Sequence, residues 1–166
     1  MKKSQKGFTI IEVALVLAIG ALIFLVVFLA VPALQRNQRN DARKRDISSV
    51  VDAVASYTGN NPGKIVRTAD SVYDSTNGKG KSDTDLGKYL DTLSTNTDTV
   101  TVKTIQAQPA APATFGDATR PNTIYVVTGA KCNGSDNITK ASSRSVAVIG
   151  AMETANGMQA YCQDAN

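Results

Sequence analysis

Histidine is absent from the sequence, and with it go the commonest general base, the Ser-His-Asp arrangement and every imidazole metal ligand. There is no glycine-rich phosphate loop and no dinucleotide fingerprint. The acidic side chains are scattered, and no two of them are spaced for paired acid–base work or for a calcium loop. Cysteine occurs only as Cys132 and Cys162, a poor metal site without histidine. Neither lies near the long apolar run, so a lipoprotein anchor is not expected. The expectation from these absences is a protein that is not an enzyme and holds no metal and no cofactor.

Charge is also missing over one long stretch. From Val13 to Leu34 there are 22 consecutive uncharged residues, which as helix at about 1.5 Å per residue span roughly 33 Å, a bilayer's hydrocarbon thickness. This run reads as a membrane-spanning helix. Val31-Pro32-Ala33 has the look of a small-residue cleavage site, but a secretory signal has an apolar region of only about 7–15 residues. The segment here is far longer, and it includes Glu12.

That glutamate is what an ordinary anchor would lack. A carboxylate in an apolar helix costs about 2.5–3.5 kcal/mol at the centre and less near an end, so it marks a function and has a partner. Ahead of it stand a basic leader, MKKSQK, then Gly7 and Phe8. Together, Gly7-Phe8-Thr9-Ile10-Ile11-Glu12 and the apolar run resemble the class III signal of type IV pilins and pseudopilins. The resemblance implies that a membrane-embedded prepilin peptidase cuts between Gly7 and Phe8 and methylates the new amino terminus at Phe8. It also implies that the Glu12 carboxylate pairs with the terminal amine of a neighbouring subunit during assembly. Physical chemistry supports that role, since a lone buried carboxylate needs a cation and cleavage before Phe8 creates one at matching depth in another copy. The competing reading leaves Glu12 in the headgroup zone near Lys6, paired with nothing specific. Many pilins carry a proline nearer the middle of this helix, whereas here the only one is Pro32. Pro32, with Gly20 before it, either permits bending or local melting of the helix in a filament or simply sits at the membrane exit.

The net charge of +4 is unevenly placed. Lys2, Lys3 and Lys6 belong to the leader, and residues 35–46 (QRNQRNDARKRD) carry five basic against two acidic side chains. Residues 47–166 carry ten basic and eleven acidic groups, so the basic overall balance gives no warrant for a nucleic-acid-binding ectodomain. With both flanks of the apolar run basic, the positive-inside rule is close to a tie. The peptidase motif puts the amino terminus in the cytoplasm, and two cysteines suit an oxidising exterior. The arginines of 35–46 then either face acidic groups on neighbours or on the cell wall, or form a solvated helix face.

Along the chain, five segments are expected: a leader at 1–7, an apolar assembly helix at 8–34, its amphipathic continuation at 35–58, a loop region at 59–122, and a disulfide-bounded β region at 123–166. Ile47, Val50, Val51, Val54 and Tyr57 recur at helical spacing and form one apolar stripe. Thr58-Gly59-Asn60-Asn61-Pro62-Gly63 ends the helix, since glycine and asparagine terminate helices and proline cannot continue one. Within the loop region, Asp83–Leu93 places Leu86, Tyr89, Leu90 and Leu93 on one face, predicting a short helix over 83–93 capped by Ser82 or Asp83. Thr99–Ile105 alternates like a strand and leads into a loop through Pro109, Pro112 and Pro121. Thr123–Thr128 and Ser145–Ala151 are β-branched runs, and Asn156-Gly157 is a hairpin signal joining Met152–Ala155 to Met158–Cys162. The predicted architecture is α+β: a long helix packed on a small antiparallel sheet whose inner face carries Tyr125, Val127, Val146, Val148 and Tyr161. This layout is also that of pilin head domains.

In an exported domain of this size Cys132 and Cys162 are expected to form a disulfide, contributing roughly 3–4 kcal/mol by loop closure; the alternative is two reduced thiols in a cytoplasmic domain. Asn133-Gly134-Ser135 and Asn137-Ile138-Thr139 match the short glycosylation pattern, which is as common in plain loops. The partners implied are other copies of the chain in a helical homopolymer, the prepilin peptidase, the inner-membrane assembly platform, the membrane before assembly, and a host or neighbouring cell surface or DNA afterwards. Major pilin, serving adhesion, twitching motility or DNA uptake, is the first reading. A minor pilin or pseudopilin of a secretion or competence system is the second, and a single-pass membrane protein displaying a binding domain is the third.

Overall fold

The computed structural model describes residues 7–69, 71–94, 97–104, 122–135 and 137–165. They fall into two compact units that divide between Asn37 and Gln38. One helix, α1 (Ile10–Asn60), begins in the first and ends in the second.

In the first unit the leucines, isoleucines, valines and phenylalanines between Phe8 and Leu34 are all exposed; Ile10 is 90% and Phe28 76% accessible. Among the described residues α1 is the one helix long and apolar enough to cross a membrane, with a mean hydropathy of 3.2 over its best window. Pro32 lies inside α1 without ending it.

In the second unit the helix turns amphipathic. Arg43, Asp46, Ile47, Val50, Ala53, Val54 and Tyr57 are buried, and Val51 is partly covered by the same core, as the spacing of the stripe requires. The helix stops at Asn60, within the glycine- and asparagine-rich segment. Asn61 donates from its backbone and its side chain to the Tyr57 carbonyl, at 3.0 and 3.1 Å, and Gly63 takes a positive φ of 83°, which glycine adopts without strain.

Among the described residues eight strands follow: β1 (Tyr73–Asp74), β2 (Lys79–Gly80), β3 (Thr99–Thr104), β4 (Thr123–Thr128), β5 (Ala130–Cys132), β6 (Ile138–Lys140), β7 (Val146–Thr154) and β8 (Gly157–Asp164). The main sheet has the order β3-β4-β7-β8, while β1-β2 and β5-β6 form two small ladders. Its β4-β7 and β7-β8 pairs are antiparallel, but β3 and β4 run parallel, with Thr99 opposite Thr123 and Thr104 opposite Thr128. The sheet is therefore mixed rather than purely antiparallel. A parallel pair needs a long crossover, and the chain has one between β3 and β4, where the loop expected through Pro109, Pro112 and Pro121 lies outside the described residues, as does Ile105.

Both faces of the sheet are covered. Ile124, Val126, Val146, Val148 and Met152 join the cluster containing Ile47, Val50, Val54 and Tyr57. Val127, Ala147 and Ile149 pack with Ala130 and Ile138 on the other side, with Tyr125 against them. Val146, Val148 and the partly buried Tyr161 thus lie on the expected face, whereas Tyr125 and Val127 lie on the opposite one. The reason is that β4 is apolar at all four positions between Thr123 and Thr128, so its alternation carries no record of which side faces the helix.

The helix expected over 83–93 contracts to one 3-10 turn, Gly87–Tyr89. Its apolar positions are nonetheless inward, with Leu86, Leu90 and Leu93 buried and Tyr89 partly so. Neither Ser82 nor Asp83 caps the turn. Its N-cap position is Leu86, with no side-chain cap bond, and the Gly87 amide donates instead to Thr84 Oγ1 at 3.1 Å. Gly87 packs directly on the Lys81 backbone, where any Cβ would collide, so the segment folds as a tight turn around its glycine.

Candidate assembly site

Gly7, Phe8 and Glu12 are all exposed, and Phe8 is 87% accessible. The residues that precede Gly7 lie outside the described set. Thr9, immediately before α1, meets Glu12 in the first turn. The Glu12 carboxylate accepts from the Thr9 amide at 2.9 Å and from its hydroxyl at 2.8 Å, and the Thr9 hydroxyl accepts from the Glu12 amide at 3.3 Å. This is a capping box, in which two orphan donors of the helix start are satisfied reciprocally. The carboxylate of the single chain therefore already has a neutral local partner. Sequence reasoning treated Glu12 alone and missed Thr9, although Thr-Ile-Ile-Glu before an apolar run is the written form of such a box.

A second constellation lies wholly within the second unit, where α1 meets the tip of the β7-β8 hairpin. Arg39 donates to the Glu153 carboxylate from Nε at 2.9 and 3.1 Å and from Nη2 at 2.6 Å. Arg43 donates to the same carboxylate at 2.9 Å. Asn40 completes the arrangement as if pairing with a strand, its side chain donating to the Glu153 carbonyl and accepting from the Glu153 amide, both at 2.8 Å. The hydrogen bonds from Arg39, and to a lesser extent the Arg43 charge, hold the Glu153 carboxyl below its ordinary range against the opposing effect of burial. Arg39 and Arg43 are thus engaged within their own chain, Arg43 buried and Arg39 still 42% accessible at its side chain.

One turn further along, Asp46 is buried with no cation beside it among the described residues. Its carboxylate accepts from the Ser94 amide at 2.8 Å, the Ser94 hydroxyl at 2.5 Å and the Thr97 hydroxyl at 2.6 Å. Cys132 and Cys162 form a disulfide with Cα atoms 5.8 Å apart. The Cys162 amide donates to the Ser135 carbonyl at 2.7 Å and the Cys132 amide to Asp164 Oδ1 at 2.8 Å, so β5 is tied to the carboxy-terminal strand. A Cβ added at Gly20 would meet nothing within 4 Å beyond its own helix backbone and chain neighbours. No group of three or more potential metal ligands occurs among the described residues.

The family profile described as the prokaryotic N-terminal methylation motif matches residues 2–28. The chain carries the class III signal of type IV pilins. The motif thus spans Gly7, Phe8, Glu12 and Gly20 and stops short of Pro32. Behind it, the chain has an α+β, pilin-like architecture. Curated proteins and solved structures give no match to the chain. The motif is the amino-terminal signal of type IV pilin-like and pseudopilin proteins, and its match covers residues 2–28 of the 166.

Proposed function

We propose that this chain is a structural subunit of a type IV pilus, its major pilin, cut between Gly7 and Phe8 and methylated at Phe8 by a prepilin peptidase. The observation that carries the reading is the methylation motif over 2–28 continuing into a helix whose large apolar side chains up to Leu34 are exposed among the described residues. Before assembly that surface is satisfied by lipid with the amino terminus in the cytoplasm. In an extracellular filament it is satisfied by the helices of neighbouring copies, which exchange lipid contacts for tight van der Waals packing. The assembly platform in the inner membrane would be where the exchange occurs.

Glu12 acquires a definite part in this exchange. In the single chain it is held by the amide and hydroxyl of Thr9, a pair of neutral donors. Peptidase cleavage supplies a charged amine at Phe8 of a neighbour, and charge-assisted hydrogen bonds are about twice as strong as neutral ones. The Glu12 carboxylate would turn from its own cap to that amine and set the register between subunits. Gly20 and Pro32 are the positions where the helix would bend to fit. The same motif serves minor pilins and pseudopilins, and abundance in sheared surface material separates them from a major subunit.

The test is a pair of variants in the producing cell. Glu12→Ala is expected to abolish surface filaments while leaving cleavage intact, and Gly7→Val to accumulate uncut protein in the membrane. Normal filaments from both would overturn the proposal.

A further inference from the structure

The sequence contains Asn-Gly pairs at 77–78, 133–134 and 156–157, and the structure treats the first and last very differently. Asn77 is tied down: its side-chain amide donates to Asp74 Oδ2 at 2.7 Å, and the other oxygen of that carboxylate accepts from the Thr76 amide at 3.0 Å. Asn156 is at the tip of the β7-β8 hairpin and exposed. Its backbone is fixed, the amide donating to Thr154 Oγ1 at 3.3 Å while that hydroxyl donates to the Gly157 carbonyl at 2.8 Å. Its side chain makes no hydrogen bond among the described residues. Beside it Gly157 carries no side chain, and nothing lies within 4 Å of where one would be. Asn133 lies three residues from residue 136, which is outside the described set, and is left aside.

We propose that Asn156 is a site of spontaneous deamidation in the folded protein, and that Asn77 is protected. The Gly157 amide nitrogen attacks the side-chain carbonyl carbon of Asn156 and its proton passes to solvent base. The Asn156 amide leaves as ammonia, and a five-membered succinimide closes. Water then opens the ring at either carbonyl, giving aspartate or isoaspartate; no oxidant or reductant takes part. At Asn156 the side chain is free to rotate onto the neighbouring nitrogen, and glycine offers no steric obstacle. At Asn77 the leaving amide is held by a carboxylate, whose charge also opposes loss of the Gly78 proton.

The consequence is structural. Thr154 pairs with Gly157 across a turn of only Ala155 and Asn156, and hairpin register is set by turn length and geometry. Isoaspartate lengthens that turn by one main-chain methylene and adds a negative charge next to the residues that hold Glu153 against Arg39 and Arg43. Each subunit thus carries an irreversible ageing mark at the hairpin that fastens its sheet to α1.

The test is to incubate the full chain in detergent at mildly alkaline pH and map its peptides by mass. Separately, isoaspartate is counted by enzymatic methylation with labelled S-adenosylmethionine. Expected is a gain of about one dalton at Asn156 several-fold faster than at Asn77, with the two rates converging when the chain is denatured. Asn156→Gln removes the gain there and leaves Asn77 unchanged. Equal rates in the folded protein, faster conversion of Asn77, or an unmodified Asn156 that reacts only once denatured would each overturn the proposal.

Discussion

Replacing Glu153 by alanine removes the one acid among the described residues that pairs with both Arg39 and Arg43, and the cost can be worked from the surroundings. The Arg43 side chain is only 9% accessible and that of Glu153 19%. Among the described residues Arg43 Nε is already buried without a partner, and its remaining contact, from Nη2 to Asn122 Oδ1, is long at 3.4 Å. Breaking a buried pair by deleting one partner leaves an uncompensated charge and costs about 3–5 kcal/mol. Because this site is not fully dry, about 2–4 kcal/mol is expected for Glu153→Ala, and about half of that for Glu153→Gln, which keeps one acceptor. For a domain of this size the alanine variant would melt roughly 10 °C lower. The pH dependence gives an independent check. The folded-state pKa of Glu153 is depressed, so its contribution is complete above the unfolded carboxyl value and is lost as pH falls through the lower folded value. Parent and variant melting curves, followed by circular dichroism, should therefore differ at neutral pH and converge in strong acid. Asp85→Asn serves as the control, since it breaks the ion pair to Arg67, whose side chain is 82% accessible, and should change little. A Glu153→Ala variant no less stable than Asp85→Asn, or a loss that is the same at every pH, would refute the reasoning.

Three other outcomes follow from the core. Asp46→Ala removes the acceptor shared by Ser94 and Thr97 and leaves their donors in a buried site, costing about 2–4 kcal/mol by denaturant titration. Gly150→Ala places a Cβ 2.6 Å from Ile47 Cδ1, where Ile47 is fully buried; about 1–3 kcal/mol is lost, and Ile47→Val in the same chain recovers part of it, which a double-mutant cycle will show. Reducing the Cys132–Cys162 disulfide lowers stability by about 3–4 kcal/mol, read as a shift in the denaturant midpoint with and without reductant.

What the sequence disclosed depended on whether the signal was local. The apolar stripe from Ile47 to Tyr57 recurs at helical spacing and was legible, as was the hairpin announced by Asn156-Gly157. The turn itself is Ala155-Asn156, with Gly157 already in β8 at a φ of 119°. The side of the sheet occupied by Tyr125 and Val127 was not legible, because a strand covered on both faces loses its polar alternation. Glu153 and its arginines were hidden for another reason: more than a hundred positions separate them, and no periodicity reports which charge meets which across the fold. The parallel β3-β4 pair was hidden likewise, since two strands joined by a long crossover carry no turn signal of their mutual direction. At the amino terminus the pattern around Gly7, Phe8 and Glu12 is plain, and Thr9-Ile10-Ile11-Glu12 before an apolar run is local enough to spell the capping box as well.

The most direct test of the central claim is the intact mass and amino-terminal peptide of this protein recovered from sheared cell-surface material. The account predicts a chain that begins at N-methylated Phe8 and is lighter by two hydrogens for the Cys132–Cys162 bond. A chain that still begins at Met1 and is found only in membranes would contradict it.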